Sequence, residues 1–279
     1  MCFRTWHICW IVLSLSGLLI ACDSKELPPP AQAPRSLFQT NFMAGDTFKV
    51  SLRNSLACPV KVSFKGWEAF ADAVPAAQMA ALDSQVVAQL IISPPDSAAF
   101  AQALKLSYTW GEPETVKPDP AARYVWPFPK GKRYKIMQAY NGKFSHQSDF
   151  SRYAVDFDMA VGDTVCAMRE GVVVGIVDGN TIGGNHRRYR PYANYITLYH
   201  ADGVLTQYAH LHPGSPMVAL GDSVLKGTPL ALSGETGWRS APHLHVNVLK
   251  PVQGGAVSIP VVFEQMAGSK ISRGMWVRH

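Results

Sequence analysis

Cysteine is scarce, with five in 279 residues, too few for a small scaffold stapled by disulfides. Charge is sparse too. Charged residues make up 16% of the chain and apolar residues 47%, which excludes a mostly disordered chain and supplies enough apolar mass for a sizeable core. Acidic residues are the scarcer sign: 20 Asp and Glu stand against 26 Lys and Arg, a net charge of +6. That balance favours an anionic partner. No basic stripe with interleaved aromatics occurs, so no nucleic-acid module is expected. Long apolar runs are absent except for Ile8–Ile20, which is shorter than the roughly 20 residues of a spanning helix. The length is that of one or two domains.

That run identifies residues 1–21 as a leader rather than part of the fold. Arg4 is the only charge before it, and it ends in Leu19-Ile20-Ala21-Cys22. This tetrapeptide resembles the lipobox of bacterial lipoproteins. Small residues admit the signal peptidase, and the Cys22 thiol accepts a diacylglyceryl group whose buried CH₂ units contribute about 0.8 kcal/mol each. An ordinary cleaved signal with an incidental cysteine is the alternative. The expected location is the cell envelope, facing the periplasm. Asp23 slightly favours the inner membrane, with the outer membrane also open. Cleavage removes Cys2 and Cys9 and leaves Cys58 and Cys166 beside the lipidated cysteine. These two fall in different candidate domains, so two separate buried thiols are expected.

An all-β fold is predicted for the mature chain. Residues 22–36 are polar and Pro-rich, a tether. Phe48, Val50 and Leu52 alternate on one face, Asn54–Pro59 reads as a turn, and Val60, Val62 and Phe64 alternate again with Lys61 and Lys65 outward. Two period-2 runs around a turn predict a hairpin. Leu104, Leu106, Tyr108 and Trp110 repeat the alternation. Between them "AAQMAAL" is compatible with a short helix and "VVAQLII" with a buried strand. Residues 37–112 thus form a small β-sandwich-like domain, followed by a linker at 113–122. Residues 123–279 are again β-patterned, with strands expected at Tyr134–Gln138, Gly171–Val177, Tyr195–His200, Val204–His210, Pro229–Ser233 and His243–Leu249. The phrase Gly162-Asp163-Thr164-Val165 recurs as Gly221-Asp222-Ser223-Val224.

Histidine is absent from 37–112. Beyond the leader, every histidine lies between His146 and His279. Histidine is the commonest metal ligand and titrates near neutral pH, so chemistry is expected in the second domain. In His243-Leu244-His245-Val246-Asn247-Val248 the alternation of a strand sends Leu244, Val246 and Val248 inward. His243, His245 and Asn247 then share the other face, their side chains about 7 Å apart along the strand. By the same rule Thr206, Tyr208 and His210 share a face. His146 and Asp156 stand further back. A His₂Asp set with an open fourth position suits a catalytic zinc, an ion that polarises a carbonyl and lowers the pKa of bound water.

The segments "SH…YAVDFDMAVGDTVCAMREGVVVG", "NYITLYHADG", "TQYAHL", "GDSVLKGTPLALSGETG" and "APHLHVNV" together resemble the lysostaphin/LytM-type zinc endopeptidases, which cut peptide stems and bridges of peptidoglycan. The resemblance spans about 124–250. It implies an antiparallel β peptidase domain with an open groove, preceded by a second domain as in two-domain members. It implies one zinc per chain held by His146, Asp156 and His245. It makes His243 the general base and His210 the residue that stabilises the oxyanion. Peptidoglycan peptide stems are the implied partner, and the membrane is a second one through Cys22.

Two departures from the family pattern stand out. Many members space the first ligands as His-x₃-Asp, whereas His146 and Asp156 are ten apart; Asp149 and Asp158 therefore compete with Asp156, which the "DFDMAVGDTV" context favours. Asn247 also replaces an acid common in the family. Tyr195, Arg187 and Arg188 are candidate substrate contacts, the arginines in a basic loop at 179–193. His186, His200, His212 and His279 are expected to be solvated or structural. Of a different class is a non-catalytic regulator of a cell-wall amidase or of peptidoglycan. A Cys166 hydrolase and a Ser145-His146-Asp149 triad are weaker readings.

Overall fold

The computed structural model describes residues 27–31, 37–44, 47–66, 76–91 and 94–279. The leader, Cys22 and most of the tether lie outside the described residues. The first unit comprises β1 (Leu37–Ala44), β2 (Thr47–Asn54), β3 (Val60–Lys65), β4 (Ala76–Met79), β5 (Ser84–Ile91), α1 (Pro94–Ala103) and β6 (Lys105–Trp110). Two sheets form, ordered β1-β2-β5 and β4-β3-β6. Phe48, Val50 and Leu52 of one and Val60, Val62 and Phe64 of the other enter a single core. The alternation is as read, but the hairpin is not: β2 and β3 belong to different sheets. The Asn54 side chain explains the crossing. Its Nδ2 donates to the carbonyls of Cys58 and Ala80, so the segment after β2 turns away and passes to the facing sheet. Residues 76–79 are strand rather than helix, and the helix falls at Pro94–Ala103. There Asp96 lies in the first turn, where a negative charge offsets the exposed helix N–H groups.

The second unit comprises β7 (Arg133–Gln138), β8 (Val155–Phe157), β9 (Thr164–Cys166), β10 (Gly171–Val177), β11 (Gly183–Gly184), β12 (Tyr195–Tyr199), β13 (Leu205–Ala209), β14 (Ser223–Val224), β15 (Pro229–Leu232), β16 (Gly237–Trp238), β17 (Leu244–Val252), β18 (Gly255–Ser258) and β19 (Trp276–Arg278). Its main sheet has the order β14-β10-β12-β13-β17-β8-β7-β19, with β18 also on β17. The repeated Gly-Asp phrases are two copies of one turn. Gly162 and Gly221 adopt φ of 94° and 89°, a region open to glycine at no steric cost. The following aspartates accept from the N–H groups of Ala160 and Ala219, each at 2.8 Å.

Strand alternation gives the main sheet two different faces. Ile196, Leu198, Tyr208, Leu244, Val246 and Val248 face a core that also holds Trp126, stacked on Phe263 at 4.3 Å. The opposite face carries the rows Leu205↔Leu249, Gln207↔Asn247 and Ala209↔His245. Leu205, Leu249 and Val174 join the core of the first unit, and Trp110 lies against Gly175, where a Cβ would stand 2.5 Å from the indole. The small unit therefore covers one end of this face. His245 sits at the other end, four residues from Leu249, about 13 Å along the strand.

Candidate metal centre

Antiparallel pairing sets Asp156 of β8 directly opposite His245 of β17. His146 arrives from the turns that join β7 to β8. Its Nδ1–H donates to the Ala139 carbonyl at 3.0 Å, which fixes the tautomer and turns the Nε2 lone pair inward. Three donor atoms then converge. His146 Nε2 is 3.2 Å from Asp156 Oδ1 and 3.3 Å from His245 Nδ1, and His245 Nδ1 is 2.8 Å from Asp156 Oδ1. Bonds of about 2.0–2.1 Å in a tetrahedral shell put neighbouring ligand atoms about 3.3 Å apart, so the set fits a zinc-sized ion. His146 and Asp156 are buried, and such a trio of imidazoles and carboxylate is a chemically suitable metal site.

Gln138, at the end of β7, was not foreseen from the sequence. Its Nε2 donates to Asp156 Oδ2 at 3.0 Å, while its Oε1 accepts from the Phe144 N–H. One carboxylate oxygen is thus held and the other left for the site. Burial alone would raise the Asp156 pKa, but the charge of His243 and the hydrogen bonds of His146 and His245 outweigh it and hold the carboxyl well below its usual range. Burial likewise disfavours a charged His146, yet its contact with Asp156 prevails and raises its pKa. For His245 burial prevails and lowers it.

His243 precedes β17 and donates Nδ1–H to the Ala241 carbonyl at 2.8 Å. Its Nε2 lies 3.8 Å from Asp156 Oδ1. His210 corrects one expectation, because it does not share a face with Thr206 and Tyr208. Those two are buried in the sheet, and β13 ends at Ala209. His210 has φ of 65°, a left-handed value uncommon outside glycine and concentrated at functional sites. That turn carries its ring to the groove face, 4.6 Å from His243 and 6.0 Å from His245. Its Nδ1–H donates to the Thr236 carbonyl at 2.7 Å. Burial and the nearby charges of His243 and His245 push its pKa well below the ordinary value, so the resting ring is neutral with its Nε2 lone pair free to accept.

Two clefts meet at this centre and share Phe144. One, of about 650 Å³, includes Tyr195, Arg187, His210 and His245; the other, of about 750 Å³, includes Asp156 and His243. Tyr195 and Arg187 thus lie where the sequence suggested. Arg188 does not: its guanidinium hydrogen-bonds and stacks on Tyr189. Arg190, part of the basic loop at 179–193, also lines the cleft; Trp238, which lines it too, was missed, and no spacing rule marks it. Asn247 lies on the groove face but is buried, donating to the Phe150 carbonyl at 2.8 Å.

The competing site residues are elsewhere. Asp149 is exposed and paired with Arg152. Asp158 is exposed beyond the end of β8, so it does not share a strand face with Asp156. Cys58 and Cys166 are unpaired and buried. Burial pushes their thiols up to about 12 and about 11, which disfavours a thiolate nucleophile. Ser145 accepts from Gln138 and is not joined to a His-Asp relay. His200 is fully buried between the Glu170 carbonyl and the Thr206 hydroxyl. His186 caps a short 3-10 turn, His212 is exposed, and His279 bonds the Phe128 carbonyl.

A His-Asp-His set at an antiparallel sheet, with His146 and Asp156 buried and two further histidines beside it, defines the class: a candidate metal-dependent hydrolase. The sequence of this domain narrows that class. Residues 151–258 match Peptidase family M23, which supports the lysostaphin/LytM-type resemblance of this domain. The match begins after His146, which the structure groups with Asp156 and His245. A stretch of 124 residues is 30% identical to an uncharacterized metalloprotease of Buchnera aphidicola, covering 43% of this chain and 30% of that protein. Another of 110 residues is 34% identical to peptidoglycan DD-endopeptidase ShyA of Vibrio cholerae, covering 38% and 23%. A third, of 117 residues, is 33% identical to lysostaphin of Staphylococcus staphylolyticus, covering 42% and 22%. The chain spans less than a third of the length of these relatives.

Proposed function

We propose that this protein is a zinc-dependent endopeptidase that hydrolyses peptide cross-links of bacterial peptidoglycan. The observation that carries the reading is the convergence of His146, Asp156 and His245 at 2.8–3.3 Å between two open clefts. These three residues would hold the ion, which when bound polarises the scissile carbonyl and acidifies water. The remaining steps belong to the chain. The Ala241 carbonyl takes the Nδ1–H of His243 and leaves its Nε2 turned to the centre, 3.8 Å from Asp156 Oδ1, the placement a general base requires. His243 takes a proton from the attacking water as the new C–O bond forms, then delivers it to the leaving amine as the C–N bond breaks. The Thr236 carbonyl occupies the Nδ1–H of His210, so His210 donates to the oxyanion only through a proton taken up at Nε2 from solvent as negative charge develops beside it. That proton returns to solvent when the C–N bond breaks.

The intact set of ligands and neighbouring histidines supports hydrolysis over a purely regulatory role. Localisation at the cell envelope through acylated Cys22 is part of the same proposal, supported by the Leu-Ile-Ala-Cys sequence.

The test is mass analysis of purified cross-linked muropeptides after digestion by the soluble form. Cleavage that stops with chelator and returns with zinc is expected, and His243→Ala should lower kcat by about 10²–10⁴-fold. Undiminished cleavage in chelator would contradict the proposal.

A further inference from the structure

Both clefts carry positive charge at their rims. Arg187 and Arg190 border one, and Lys143 and Arg273 border the other. All four are exposed, and none enters a salt bridge among the described residues. Asp156, already committed to the centre, is the only carboxylate lining either cleft among the described residues. One of these basic groups, Arg187, is also positioned rather than merely solvated. The Arg187 guanidinium lies 5.3 Å from the Trp238 ring centroid, and Trp238 packs on Phe144 at 5.0 Å. Stacking of this kind orients a guanidinium while leaving its edge N–H groups free to bond a carboxylate. The result is an apolar saddle at the centre flanked by unpaired cations on both sides.

We infer that the groove selects acidic peptides with free carboxylates on both sides of the scissile bond. Arg187 and Arg190 read one side, and Lys143 and Arg273 read the other. This specificity rests on the hydrolytic reading of the groove and adds to it the chemical class of the substrate. An amidated or glycine-only peptide offers no such anions and loses both contacts.

The experiment uses a defined cross-linked peptide in four forms: free acid, amidated on one side, amidated on the other, and amidated on both. For the zinc-loaded wild type, each amidated side should lower kcat/KM by about fivefold, the scale of one exposed charge pair. The effect should shrink in high salt. In Arg187→Gln/Arg190→Gln the preference on one side should vanish while that on the other persists. Lys143→Gln/Arg273→Gln should show the reverse. Arg188→Gln, whose guanidinium is turned onto Tyr189, should keep both preferences.

Fluorescence anisotropy of labelled peptides on the His243→Ala protein reads the same discrimination without turnover. Discrimination in binding with no cleavage by wild type would remove the hydrolytic reading and keep the charge selection. Cleavage of all four peptides at one rate would remove the charge selection and keep hydrolysis. So would double variants that weaken every peptide equally.

Discussion

Asp156 is held at both oxygens, and each contact does a different job. Oδ1 faces the imidazoles of His146 and His245, while Oδ2 accepts from Gln138. A buried carboxylate that loses its orienting donor rotates or takes a proton. Gln138→Leu should therefore lower zinc affinity by about 10–100-fold, the usual cost of removing an outer partner of a ligand, measured by competition with a fluorescent chelator. An unchanged affinity would show that the sheet alone positions the carboxylate. Sequence reading reached His146, Asp156, His243 and His245 because each sits in a short phrase of fixed order. It reached His210 through the same resemblance but gave it the wrong strand face, since the positive φ that turns it is a property of the folded chain. Gln138 and Trp238 carry no local signal at all; only the fold brings them to the centre.

At the scale of elements, period-2 alternation located most strands to within a residue or two. Gly171–Val177 was read with the observed ends. Pairing was less legible. β2 and β3 look like the arms of a hairpin because alternation reports which side chains are buried and says nothing of which strand lies alongside. The contact that joins the two units is similarly silent in sequence. Gly175 lies at a register shift between β10 and β12, where the missing side chain admits the Trp110 ring. Gly175→Ala places a Cβ 2.5 Å from that ring, an overpacking that should cost about 1–3 kcal/mol. Calorimetry should show a lower Tm, and Trp110→Leu should partly relieve it. A Tm equal to wild type would mean that the indole moves aside freely.

Taken as a whole, the chain places a neutral histidine in the packing of its sheet and so acquires a dependence on pH. Burial lowers the His200 pKa from its ordinary 6.5 to about 4, against the Glu170 carbonyl bond that favours charge. The unfolded chain therefore binds a proton between pH 6.5 and 4 that the folded chain does not. Stability is full above pH 6.5 and falls on acidification, by about 3 kcal/mol at pH 4. Urea unfolding at a series of pH values should show this slope, and His200→Gln should flatten it by that amount. An equal slope in the variant would assign the acid sensitivity to other groups.

The most direct measurement of the central claim is the zinc content of the purified protein after dialysis against trace metal, read by mass spectrometry. Wild type and His243→Ala should each hold one zinc per chain, while His146→Ala, Asp156→Ala and His245→Ala should hold little or none with the fold intact by circular dichroism. Zinc retained at one per chain in all three ligand variants would contradict the account.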